Sequence, residues 1–317
     1  MIQEIWHFHI FNWTIPIYGF GLMLVIGFLV SAHWAKYLAY RSGLDGEAFV
    51  NAAMLALLAG IVGARLSHIL ENLPEFTRPD LSASQNFLNM VNITSGGLTY
   101  YGGFLLATPT LILYARHKKI PVRLGMDIVA PCIVLALGFG RVGCFLNGCC
   151  YGAPSNLPWA VRFPYNSPPY LDQFAARQIQ PDPQLIRFTN GRRQLIEPQQ
   201  IEKDPDLLRL STAQRSLPLH PAQLYSTFTS FLIAAVVFAC FTLRKPPGRA
   251  FALMLILEGS TRFLLELLRA EPAVLGPMSL SMILGLLLAA SGVAMWMLFG
   301  RLAPANPTRA AISSHAP

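Results

Sequence analysis

The chain has 317 residues, of which 53% are hydrophobic and 13% charged, with a formal net charge of +8. Soluble domains carry roughly 25% charged residues, so a water-soluble globule is excluded and a polytopic helical membrane protein is expected, since a span in lipid must satisfy its backbone polar groups internally. The positive balance fits loops lying against anionic lipid and makes nucleic acid a poor partner.

Apolar stretches of about 20 residues predict seven spans in chain order, near Ile15–Tyr37, Phe49–Ile69, Leu98–Tyr114, Leu124–Phe145, Gln223–Leu243, Ala250–Leu268 and Met278–Phe299. Between the fourth and fifth lies Gly152–Pro218, rich in Pro, Gln, Arg and Asp, with Pro158–Pro164 reading as a short strand and Asp204–Leu210 as a short helix. Too small for an independent core, it reads as a head on the outer face of the bundle. The fold class expected is therefore all-α integral membrane, with seven transmembrane helices and a small extracytoplasmic head. Its divisions are spans one to four at 1–151, the head at 152–218, spans five to seven at 219–303 and a disordered cytoplasmic tail at 304–317. No sequence repeat is visible.

Basic residues accumulate after alternate spans: Lys36 and Arg41, then Arg116, Lys118, Lys119 and Arg123, then Arg244, Lys245 and Arg249, then Arg301 and Arg309. Cytoplasmic loops gather such charge, so the N-terminus is expected outside and the C-terminus inside. Met1–Pro16 has no basic n-region, and span one is too long for the h-region of a cleaved signal peptide.

Charged residues inside the spans mark candidate sites. Arg141 lies in Gly138-Phe139-Gly140-Arg141-Val142-Gly143, and an arginine at a helix centre costs on the order of 2.5–3.5 kcal/mol on insertion scales, so a polar cavity or an anionic ligand is expected. The surrounding glycines are expected to open the helix surface to a bulky headgroup. Glu258, Arg262 and Glu266 are spaced i, i+4, i+8 and share a helical face, which predicts Arg262 flanked by two carboxylates. That ladder reads equally as helix-packing ionic structure or as function for Glu258. Arg65 reads as an architectural or headgroup residue. Gly96, Gly97, Gly102 and Gly103 either permit close helix packing or leave N–H groups open to phosphate. Cys132 and Cys240 read as apolar fillers. Cys144, Cys149 and Cys150 cluster at the outer face, where a disulfide is expected; their C-x4-C-C spacing matches no common structural zinc pattern.

Taken in order, six stretches resemble the prolipoprotein diacylglyceryl transferase family: Ile17-Tyr18-Gly19-Phe20-Gly21, Gly63-Ala64-Arg65-Leu66, Gly96 through Gly103, Gly140-Arg141-Val142-Gly143 with Asn147 and Gly152, His220-Pro221-Ala222-Gln223-Leu224-Tyr225, and Arg262-Phe263-Leu264-Leu265-Glu266 followed by Arg269. The resemblance runs from Tyr18 to Pro272. It implies a seven-span enzyme of the bacterial inner membrane that moves a diacylglyceryl group from phosphatidylglycerol to the lipobox cysteine of prolipoprotein signal peptides, releasing glycerol phosphate without cofactor or metal. It further implies catalytic roles for Arg141, Arg262, Glu266 and Tyr101. Substrate contacts would come from Arg141, Tyr18, Arg65, Gly102, Gly103, Asn147, Gly152 and His220. In the members it resembles most, histidine stands at the position of Tyr101, asparagine at Cys144 and glutamate at Cys149. His68 and His220 are the histidines that can supply an imidazole in place of Tyr101, or else serve helix ends and packing.

Two other readings stand beside this one. One is a thiol-dependent lipid-modifying or redox paralogue using Cys149 or Cys150, whose thiols neighbouring guanidinium charge would acidify. The other is a non-catalytic binder of anionic lipid. A transporter fits less well, because the charges gather toward the outer leaflet and no repeat supports alternating access.

Overall fold

The computed structural model describes residues 4–10, 13–78, 81–92, 97, 99–189, 191–243, 246–269 and 274–302. The expected tail, together with Gly96, Arg244, Lys245, Pro272 and Arg309, lies outside these residues. The described chain is helical apart from two antiparallel hairpins, β1 (Glu4–Ile10) with β2 (Trp13–Tyr18), and β3 (Ile186–Thr189) with β4 (Arg192–Leu195). The first hairpin takes Ile15–Tyr18 out of the span assigned to it, and α1 begins at Gly19.

Among the described residues five helices are long and apolar enough to cross a bilayer: α1 (Gly19–Arg41), α2 (Gly46–Glu71), α6 (Val122–Asn147), α10 (Ala222–Thr242) and α12 (Leu280–Arg301). Between them come α3 (Leu73–Phe76), α4 (Ala83–Val91), α5 (Tyr100–His117), α7 (Pro168–Ala175), α8 (Pro198–Ile201), α9 (Pro205–Ala213) and α11 (Arg249–Glu266). The third and sixth expected spans correspond to α5 and α11, each of 18 residues. Both are weak spanning segments by composition: α5 contains Pro109 and ends in Arg116 and His117, while α11 carries Arg249, Glu258, Arg262 and Glu266. Leu29, Leu58, Leu105, Phe228 and Leu287 are exposed along the helices, an arrangement that suits hydrocarbon and not water.

The chain forms two compact units. One comprises residues 1–31, 130–245 and 249–301; the other is built on 32–129 with 246–248. In the first, Ala130 and Val134 of α6, Ile233, Ala234 and Val237 of α10, and Ala250 and Met254 of α11 form a buried apolar cluster. Small residues set the approach of α11 to α12: a Cβ at Gly285 would lie 2.9 Å from the Gly259 carbonyl, and one at Gly292 2.8 Å from that of Ala252. The segment expected as a head buries Phe163, Tyr170, Leu185 and Ile201, together with Leu219 just after it. The strand expected at 158–164 is reduced to single bridges of Val161 with Leu219 and Pro164 with Arg215. The expected short helix is α9, started by the Asp204 carboxylate, which accepts from the Asp206 N–H at 2.9 Å.

In the second unit α2 packs on α5 along glycines. A Cβ at Gly63 would come within 2.7 Å of the Leu106 side chain, and one at Gly103 within 2.9 Å of the Gly60 carbonyl. Ahead of α5 sits α4, opened by a reciprocal capping box between Ser82 and Gln85. None of its residues is buried, and Phe87, Leu88 and Val91 stand exposed.

Candidate active site

Within the first unit, α6, α10 and α11 enclose a narrow polar cavity lined by Arg141, Cys150, Ser226, Glu258, Arg262, Glu266 and Arg269 among others. Its volume is about 20 Å³, enough for one water or one oxygen-sized group. A larger cavity of about 370 Å³, lined by Tyr151, Asp172 and Gln173 among others, shares Cys150 and Arg269 with the narrow one.

The charges are distributed unequally. Among the described residues Arg141 makes no hydrogen bond or ion pair, although its field and that of Arg262 both act on Glu258. Arg262 donates from Nη2 to the Ser281 hydroxyl of α12 at 3.0 Å. Glu266, only 4% exposed, accepts from the Ser279 hydroxyl at 3.2 Å and forms its ion pair with Arg269 at 3.4 Å. The i, i+4 ladder is thus rearranged: Glu266 turns to i+3, because Arg269 lies just past the end of α11, and Arg262 reaches across to α12.

Around this cavity the expected glycine opening is largely filled. A Cβ at Gly138 would collide with the Phe231 ring, and one at Gly143 would lie 3.0 Å from that of Phe20. These glycines seat aromatic rings; only at Gly140 is the neighbour, Leu24, at ordinary contact distance of 3.7 Å. Gly152 serves a backbone crossing: its N–H donates to the His220 carbonyl at 3.0 Å and the next N–H, of Ala153, to the Leu268 carbonyl at 2.8 Å. A Cβ there would come within 2.6 Å of the His220 Cβ. His220 Nδ1 lies 3.4 Å from the Tyr225 hydroxyl, which accepts from Trp159 Nε1 at 2.7 Å. Asn147 closes α6, and Tyr18 stands exposed at the end of β2.

The second unit holds the other expected site residues. Arg65, 7% exposed, donates to the carbonyls of Met90, Gly97, Asn89 and Asn92 at 2.8, 3.0, 2.7 and 2.7 Å. Three of these belong to the C-terminal end of α4, whose last carbonyls have no partner within the helix. The guanidinium also lies 5.1 Å from the Phe76 ring centroid. The architectural task is therefore visible, with the donors turned to backbone. Tyr101 is 51% exposed on the first turn of α5. Gly102 packs against Gly63 and Ser67, so its backbone faces α2. His68 meets Asn72 at 3.2 Å and the Phe76 ring edge-on.

The sequence reading missed Gln223, Ser279 and Ser281. Gln223, 1% exposed, donates to the Cys149 carbonyl at 2.8 Å and so pins the loop after α6; the signal was available in a polar residue beginning an apolar span. Among the described residues no disulfide joins any cysteine; Cys144, Cys149 and Cys150 bring their sulfurs within 4.8 Å of one another. Thiol hydrogen bonds from Cys144 and Cys149, then the charges of Arg141 and Arg269, hold the Cys150 thiol far below the usual range.

A family model described as prolipoprotein diacylglyceryl transferase matches residues 7–298. The chain belongs to the prolipoprotein diacylglyceryl transferase family. It is 27% identical to the phosphatidylglycerol–prolipoprotein diacylglyceryl transferase of Clostridium tetani across 81% of this chain and 83% of that one. The protein of the same name from Erwinia tasmaniensis is 27% identical across 94% and 93%, and that of Corynebacterium diphtheriae 27% across 86% and 83%. The family match therefore embraces both units and every candidate residue described above.

Proposed function

We propose that the chain is a phosphatidylglycerol–prolipoprotein diacylglyceryl transferase. The observation that carries this reading is Arg141, a guanidinium without a protein partner among the described residues, sharing a cavity with Arg262 inside a bundle of apolar helices. Fixed, permanently charged forks suit a phosphodiester whose negative charge grows as it leaves. In the reaction the acceptor cysteine sulfur forms a bond to the glyceryl carbon, the bond from that carbon to the phosphate oxygen breaks, and the electron pair departs with glycerol phosphate. The thiol proton is passed on to solvent or to the departing phosphate, so atoms and charge balance.

Arg141 and Arg262 hold the phosphate, with Ser281 steadying Arg262. Glu266 acts through Arg269 and Ser279, keeping the outer end of α11 in place. In the first unit Tyr18, Asn147, Gly152 and His220 are proposed substrate contacts, and in the second Tyr101, Gly102 and Gly103, where Arg65 shapes the segment leading into α5. Seven spans are proposed, α5 and α11 joining the five apolar helices, with 152–218 as an extracytoplasmic head, the N-terminus outside, the C-terminus inside and the bacterial inner membrane as the site of action. The acceptor is a signal peptide bearing a lipobox cysteine.

The test is release of glycerol phosphate from labelled phosphatidylglycerol with a lipobox peptide. Arg141→Ala is expected to lower turnover by about 10²–10³, the range for loss of one donor to a developing anion, while elution and melting in detergent stay normal. Near-normal release by Arg141→Ala overturns the assignment.

A second reading is favoured by one observation: Cys150 lines the same cavity as both arginines. A thiol enzyme would carry the lipid on Cys150 as a covalent intermediate. Acid-quenched mass spectrometry of enzyme incubated with phosphatidylglycerol alone separates the two: an adduct on Cys150, lost together with activity in Cys150→Ser, establishes the thiol route, and transfer by Cys150→Ser removes it.

A further inference from the structure

The loop leaving α6 folds back on its own helix. Gly148 and Cys150 have φ of 78° and 58°, a left-handed backbone that L-residues other than glycine rarely adopt. The fold-back is held from both sides: the Cys149 N–H donates to the Cys144 carbonyl at 3.1 Å, and the Cys149 carbonyl accepts from Gln223 at 2.8 Å. Its result is that three thiols, Cys144 from the last turn of α6 and Cys149 and Cys150 from the loop, converge with their sulfurs within 4.8 Å of one another.

A disulfide uses two sulfurs and leaves the third, along with the left-handed turn at Cys150, without a purpose. A metal ion uses all three. With metal–sulfur distances of about 2.3 Å, trigonal or tetrahedral geometry places the sulfurs roughly 3.8–4.0 Å apart, inside the observed spacing. Charge is also provided for, since Arg141 and Arg269 line the cavity that Cys150 enters and offset the excess negative charge of three thiolates around one cation. Thiolate-only sets select soft d¹⁰ ions.

We propose that Cys144, Cys149 and Cys150 form a three-thiolate site for a thiophilic d¹⁰ ion, Cu(I) or Zn(II), in the wall of the Arg141 cavity. Binding forms three S–metal bonds and releases the protons that the thiols still carry, with no electron transferred. Cu(I) is satisfied by the three sulfurs, whereas Zn(II) keeps a fourth position for water. Binding of the ion itself requires no phosphatidylglycerol, so it is measured apart from the transfer reaction.

The test uses the full chain in detergent, reduced and kept anaerobic, loaded with Cu(I) or Zn(II) alone and desalted. One ion per chain is expected by elemental mass spectrometry, with about three sulfurs at roughly 2.3 Å by X-ray absorption. Competition with a chromophoric chelator should show each of Cys144→Ser, Cys149→Ser and Cys150→Ser binding more than about 10-fold weaker, beyond the lower limit for loss of a mere outer-shell partner. The Cys132→Ser/Cys240→Ser double variant should bind like the parent. Should a variant misfold, the parent protein decides: the ion should shield these three cysteines from alkylation, mapped by peptide mass spectrometry. No uptake by the reduced parent, fewer than three sulfurs on the ion, or a disulfide within the trio of loaded protein each overturns the proposal. The ion that binds more tightly in the two arms identifies the cation.

Discussion

Glu266 shows how far a residue's role depends on partners that spacing alone does not reveal. Buried and paired with Arg269, it should be coupled to that residue more strongly than to Arg262. Glu266→Gln removes the buried carboxylate of this ion pair, and a loss of about 3–5 kcal/mol in unfolding free energy is expected. In double-variant cycles measured by denaturation, Glu266→Gln with Arg269→Gln should show a coupling of about 0.5–3 kcal/mol, larger than Glu266→Gln with Arg262→Gln. The opposite order would restore the i, i+4 ladder. Arg65 teaches the same lesson. Its acceptors lie 24 to 32 residues away in sequence, in a segment whose helix the sequence reading did not foresee, so nothing in Gly63-Ala64-Arg65-Leu66 distinguishes a helix-end clamp from a phosphate ligand. Burial and charge were legible at both positions; direction was not.

Among the elements, the five apolar helices were legible to within a few residues, because hydropathy integrates over about 20 positions and single errors cancel. The glycines were not, since an absent side chain is an opening or a socket according to what faces it from another helix. At Gly102 the neighbours are Gly63 and Ser67, so Gly102→Val should force α5 away from α2 and destabilise by about 1–3 kcal/mol, read as a lowered Tm in detergent. Tyr101→Phe next to it, half exposed and keeping its ring, should lower Tm less than Gly102→Val. The head contributes a pH dependence of its own. Burial pushes the phenols of Tyr165 and Tyr170 up to about 12, above the value of about 10 in an unfolded chain. The folded state therefore retains its protons more tightly, and the associated stability is complete below pH of about 10 and is lost as pH rises toward 12. Phenolate absorbance and unfolding of the head should rise together over that interval. Phenolate appearing near pH 10 in a head that is still folded would contradict it.

For the whole molecule, the alternation of basic loops makes a directional prediction. In a cysteine-free background, Arg187→Cys should react with an impermeant maleimide in cells whose outer layer has been permeabilised, and Lys118→Cys should react only after the inner membrane is opened. The reverse pattern inverts the topology. Family membership and the helical class were readable from ordered motifs and composition. The amphipathic α4 was not, because its nine residues are too few for a spanning stretch and its polar neighbours read as loop. With Phe87, Leu88 and Val91 uncovered on a helix of this kind, α4 suits the headgroup boundary. Substituting all three by Ser should weaken retention of α4 at the interface, seen as faster amide exchange over 83–91 in nanodiscs.

The crossing at Gly152 and Ala153 has a mechanical meaning for the chemistry. Three main-chain hydrogen bonds tie this short stretch both to His220, two residues before α10, and to Leu268, two residues beyond α11. The gauge between the two helices is consequently set by backbone, like a spacer between rails, and is insensitive to which side chains line the gap. Polar residues such as Ser226, Thr229 and Thr261 can then be exchanged to tune the cavity without changing its width. Any residue larger than glycine at 152 would change the width and leave the lining untouched.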